Sequence, residues 1–189
     1  MCIKAPVLIN ITSPEVFRIV LRYVYGGDAS ELVGRLTSKI NDYDDKNARE
    51  IIEAADRYGI IGLKLAVETA LVEGLVINLE NVVDWILFAD AKTCPLLKEY
   101  ATSYFSAMAD DILKSESSTR LKESPKLMSE LMLAMSNSPR NDCFNQTSRM
   151  SVGALRKALN EKGLDVDGSK EMLVSRLDES NANKRQRTE

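Results

Sequence analysis

A β-sheet needs a second strand, and this chain of 189 residues offers one convincing candidate. Residues 6–11 hold a short apolar run, Val7, Leu8, Ile9 and Ile11, which stops at Thr12-Ser13-Pro14. No second run reads as its partner. The apolar residues that follow recur mostly at three- and four-residue spacing, the period of a helix with one buried face. The fold class expected is mainly α. An orphan strand would leave its own edge, and the apolar face of Val16, Val20 and Val24, without cover. Three explanations stay open: a truncated chain, cover borrowed from a partner, or folding as helices alone.

The helices are punctuated by local chemistry. Ser13 suits an N-cap, Pro14 loses no hydrogen bond at the first helical position, and Gly26-Gly27 supplies a positive-φ stop after Val16, Phe17, Val20, Leu21 and Val24. Ala48, Ile51, Ile52, Ala55 and Tyr58 form the next apolar face, closed by Gly59; Leu63, Ala66, Val67, Ala70 and Leu71 repeat it as far as Gly74. Between them, Leu32, Val33, Leu36 and Ile40 suggest a short amphipathic turn or two. The polar stretch 41–47 reads as a solvated loop, since it lacks the glycine turn and the bidentate Glu of a calcium loop.

Three more helices are expected: over 81–91, from the Thr93-Cys94-Pro95 cap to Met108, and over 125–135, where Leu127, Met128, Leu131, Met132 and Met135 share a face. Methionines at this spacing read as core filler, and Trp85 reads as core. Residues 136–149, rich in Asn and Ser, break all periodicity and read as a linker.

Chemistry is restricted more sharply than fold. The chain has no histidine, so no histidine base, nucleophile dyad or histidine metal ligand can form. Cys2, Cys94 and Cys143 are odd in number and far apart, which gives neither a disulfide framework nor a CxxC zinc site. No catalytic residue, metal or cofactor is expected. Glu50, Glu53 and Asp56 read as a solvent face, and the chain is expected not to be an enzyme. A net charge of -3 gives no overall attraction to nucleic acid or membrane, so any polyanion binding must be local. The start lacks a long apolar leader and no run reaches membrane-span length, so neither secretion nor a membrane partner is expected. The sequons at Asn10 and Asn145 are then chance matches.

The run Ser13-Pro14-Glu15-Val16-Phe17-Arg18-Ile19-Val20-Leu21-Arg22-Tyr23-Val24-Tyr25-Gly26-Gly27 resembles the later part of a BTB/POZ domain, with its Phe-containing helix and Tyr-x-Tyr-x-Gly-like turn. Ala54-Ala55-Asp56-Arg57-Tyr58, followed by Leu63-Lys64, is similar to that family's next element. The resemblance implies a partial BTB/POZ-like region over 1–77 and a BACK-like helical extension over 78–135. It also implies a protein partner, either a cullin or another BTB protein.

The last helical unit has its own logic. Leu155 and Leu159 lie on one helix face, Gly163 ends that helix, Leu164 and Val166 turn inward, and Leu173 and Leu177 face them from a second helix. Gly168-Ser169-Lys170 opens the second helix, where free amides and the positive dipole end favour an anion and glycine permits close backbone approach. These landmarks, Leu at i and i+4, Gly-Leu, Gly-x-Lys and a closing Arg-Leu, resemble a SAP motif over 150–180. That resemblance implies DNA or RNA backbone binding, with Arg156, Lys157, Lys162, Gly168, Ser169, Lys170 and Arg176 as the candidate residues. Five cations face six carboxylates in the unit, so a phosphate must find a local cluster.

Residues 181–189 are polar and expected to be a disordered tail, in which Lys184, Arg185 and Arg187 match a short nuclear-import pattern. Taken together, the sequence leads to the expectation of an adaptor in chromatin or transcription regulation, located in the nucleus with the cytoplasm as a second location. A cullin ubiquitin-ligase substrate adaptor is the alternative, with a truncated relict without function beside it.

Overall fold

The computed structural model describes residues 13–27, 45–116, 118–136, 147 and 150–186. They contain ten α-helices and no strand. The fold is therefore mainly α, as the spacing predicts, while the strand expected at 7–11 lies outside the described residues. So do the turns expected at 29–40, most of the linker, and Cys2 and Cys143. The chain divides into two compact units, Met1–Gly74 and Leu75–Glu189. The helical extension and the last pair of helices thus belong to one unit.

In the first unit, α1 (Pro14–Val24) begins as its sequence demands: Ser13 Oγ accepts from the Val16 amide at 3.3 Å, and Pro14 stands in the first turn. Gly26, at φ +90°, lets the Gly27 amide reach back to the Arg22 carbonyl at 2.8 Å and ends the helix. Helices α2 (Asp45–Tyr58) and α3 (Ile61–Gly74) form a hairpin across Gly59, and α1 packs against α2. Ile51, Ile52, Leu63 and Leu71 fill the core, each at most 1% exposed.

The expectation that the α1 face lacks cover is corrected for two of its three valines. Val16 and Val20 are buried and Val24 is 60% exposed. Each buried valine contributes about 1.5–3 kcal/mol relative to exposure. The Tyr23 side chain of α1 reaches the start of α3, where a Cβ on Gly62 would overlap its hydroxyl. Lys64 is nearly buried, and its ammonium donates to Asp56 Oδ1 at 2.8 Å.

The second unit opens with an asparagine turn. Asn78 Oδ1 accepts from the Glu80 and Asn81 amides, and Asn81 Oδ1 accepts from the Asn78 amide at 2.8 Å. Helix α4 (Val82–Ala91) then packs along α5 (Pro95–Ala107) and buries Val82, Val83, Trp85, Ile86 and Ala89. Trp85 is fully buried, with Phe88 edge-on at 5.9 Å, so it is core as read from the sequence.

Two short helices, α6 (Ala109–Lys114) and α7 (Ser118–Lys122), have no counterpart in the sequence reading: five or six residues are too few to display a helical period. Helix α8 (Pro125–Ser136) packs on α5 and α7 through buried Leu127 and Leu131. Its methionines depart from the expected core role, since Met132 is 55% exposed and Met135 is also exposed. Helices α9 (Val152–Glu161) and α10 (Lys170–Gln186) complete the unit. The last one continues six residues into the segment expected to be a disordered tail.

Candidate nucleic-acid interface

Helices α9 and α10 enclose a core of five buried side chains: Val152, Leu155 and Leu159 from one, Leu173 and Leu177 from the other. Val166 turns in against them as expected, but Leu164 is 37% exposed, a correction to its inward placement. A core this small is marginal alone. Leu96 of α5 packs against the same cluster and enlarges it.

The ends of the pair fix its geometry. Ser151 Oγ caps α9 by accepting from the Ala154 amide, and Gly163 at φ +66° ends it, with the Leu164 amide returning to the Leu159 carbonyl at 2.9 Å. The Lys162 ammonium, just past that end, reaches Ser180 and Asn181, ten residues into α10. At the opposite end, the Val152 amide and the Lys170 ammonium meet one carboxylate, that of Glu99 on α5. The two helices therefore run in the same general direction. The segment 164–169 returns between them, its six residues being able to span about 20 Å against a helix of about 15 Å.

The candidate residues are distributed unevenly over this frame. Arg176 clamps the returning segment: its guanidinium donates to the Asp165 and Asp167 carbonyls and pairs with the Asp165 carboxylate at 3.2 Å. That makes Arg176 a structural clasp. Gly168, at φ +116°, is buried under Met172, whose sulfur would lie 3.1 Å from an added Cβ. Its glycine is required by the backbone and by that side chain, so the close approach inferred from the sequence is made by Met172.

Ser169 and Lys170 start α10. The Ser169 hydrogen bond holds the Glu171 carboxyl below the usual glutamate range; burial opposes this, while the Glu171 amide and the charges of Lys98 and Lys126 add to it. Lys170 pairs with Glu99 at 3.0 Å, both about one-third exposed. Arg156 is half-buried, whereas Lys157 and Lys162 are exposed. The partners of Lys162 are neutral oxygens, which leave its charge open to a phosphate. Of the tail cations, Lys184 and Arg185 fall within α10, and Arg187 lies outside the described residues.

Beside the start of α10, a cavity of about 1000 Å³ lies between α5 and α8 and receives Lys98, Lys126 and Lys170. These cations are matched by carboxylates. Lys98 bonds Asp90 and Glu130, each at 2.6 Å; burial alone would lower its ammonium, but these two partners outweigh it and hold it above the usual lysine value. Lys126 stands 3.9 Å from Glu130. Sequence reasoning missed Glu99, since nothing in its own neighbourhood marks it as a partner of residues 53 and 71 positions away.

Residues 146–181 match the SAP domain family, a span that holds α9 and most of α10. The chain is also 26% identical over 136 residues, 71% of its length, to mouse TD and POZ domain-containing protein 1, and 24% identical over the same length to TD and POZ domain-containing protein 1-like of mouse. It spans about a third of the length of these curated relatives, 34% in each case. No helix among the described residues is long and apolar enough to cross a membrane. The rear helical pair thus carries the likeness of a nucleic-acid-binding SAP domain.

Proposed function

We propose that the chain is a non-enzymatic nuclear adaptor in chromatin or transcription regulation: its SAP-like pair of helices binds the DNA or RNA backbone while its BTB/POZ-like region holds a protein partner. The observation that carries this reading is the SAP match over 146–181, laid on a helical pair whose Lys157 and Lys162 are exposed. A phosphate backbone is bound by clustered positive charge, and each neutralised phosphate adds a salt-dependent increment to affinity.

Fluorescence anisotropy of a labelled duplex of about 20 base pairs, titrated with the intact chain over a series of salt concentrations, tests the reading. The expected result is binding that weakens linearly in log–log form as salt rises. Binding absent even at low ionic strength would overturn it. The POZ likeness of the mouse relatives favours a second reading of the same chain, as substrate adaptor of a cullin ubiquitin ligase. Co-purification of a cullin with the intact chain supports that reading, and failure of a purified cullin to bind the chain counts against it.

A further inference from the structure

The Glu99 carboxylate stands where an anion would be expected to bind the helical pair. Its Oε2 accepts from the Val152 amide, the first of α9, at 2.8 Å, and its Oε1 accepts from the Lys170 ammonium, the first residue of α10, at 3.0 Å. Amides at a helix start, the positive dipole end and a lysine form the set of donors that also suits a phosphate oxygen. Here they converge on a side chain supplied by α5, which is held against the pair by Leu96 three residues earlier.

We propose that Glu99 is an intramolecular competitor for nucleic-acid phosphate, an autoinhibitory latch that withholds Lys170 and the start of α9 while α5 stays seated on the pair. This rests on the nucleic-acid reading above. With Glu99 in place, the carboxylate cancels the Lys170 charge and repels an approaching phosphate. Lys157 and Lys162 then carry the binding, and the start of the pair contributes only when α5 withdraws or Glu99 loses its charge. The ion pair is one-third exposed on both sides, so it opens at modest cost and suits a contact that is broken and remade.

The test measures duplex affinity and its salt slope in the intact chain, in Glu99→Gln and in the double variant that adds Lys170→Ala. Glutamine keeps the size of the side chain and a carbonyl for the Val152 amide while removing the charge. Glu99→Gln is expected to bind about three- to fivefold tighter, the worth of a partly exposed ion pair. Its log–log salt slope is expected to steepen by about 0.9, one further phosphate contact. Adding Lys170→Ala to Glu99→Gln is expected to return affinity and slope to the original values, because the released charge is that of Lys170.

Two results would each overturn the latch while leaving nucleic-acid binding intact. One is Glu99→Gln binding like the unaltered chain. The other is a double variant that keeps the whole gain of Glu99→Gln, which would show that the released charge does not act through Lys170. If no form of the chain binds duplex at any salt concentration, the nucleic-acid reading fails and the latch falls with it.

Discussion

The two ends of the α9–α10 pair carry cations of the same kind with opposite availability. At the start, Lys170 meets Glu99, and the neighbouring Lys98 and Lys126 meet Asp90 and Glu130. Toward the far end, Lys157 is exposed and the partners of Lys162 among the described residues are the neutral oxygens of Ser180 and Asn181. The composition of the unit, five cations against six carboxylates, does not distinguish these ends. What decides is which carboxylates the tertiary fold brings up. At the start they come from α4, α5 and α8.

The contrast can be broken outright by removing the frame that separates the ends. Leu159→Ala deletes a fully buried side chain from a five-residue core, and urea unfolding should show a loss of about 2–5 kcal/mol. Leu164→Ala, on an exposed leucine one turn later, should cost less than about 1 kcal/mol in the same assay. Equal losses would mean that the core is drawn wrongly.

Gly168→Ala strains the start end alone. Its φ of +116° and the Met172 sulfur over it lead to an expected loss of about 1–3 kcal/mol, with Lys170 displaced from Glu99. A loss of that size with unaltered binding through the far end would sharpen the comparison. Changing the far end instead, Lys157→Ala with Lys162→Ala should lower duplex affinity by roughly tenfold and flatten the salt slope by about 1.8.

The smallest effect concerns pH. The Glu171 carboxyl is held below its ordinary value, first by Ser169, so the folded state binds its proton less readily than the unfolded chain does. Its contribution to stability is present above the unfolded value of about 4.3 and is lost as pH falls through the lower folded value. Unfolding curves from pH 6 downward should therefore show Glu171→Gln losing less stability on acidification than the unaltered chain. An identical acid dependence in both would contradict the Ser169–Glu171 contact.

The parts of this fold that the sequence revealed are the locally determined ones. Ser13-Pro14 and Gly26 act within one turn of themselves, and the Leu155, Leu159, Leu173 and Leu177 face closes on itself within one short unit. The parts it concealed depend on distant partners. Met132 and Met135 sit at core spacing, yet the helices packed against α8 bury Leu127 and Leu131 instead. Arg176 and Lys170 look equivalent as cations of the second helix. One proves a clasp for residues 165–167 and the other a partner of Glu99, neither of which charge or periodicity could have specified.

The salt dependence of the intact chain's affinity for duplex, measured for the unaltered protein beside Lys157→Ala, tests nucleic-acid binding by the helical pair most directly. The expected result is a negative log–log slope that the single substitution flattens by about 0.9, one phosphate contact. A slope of zero, or the same slope in both proteins, would contradict it.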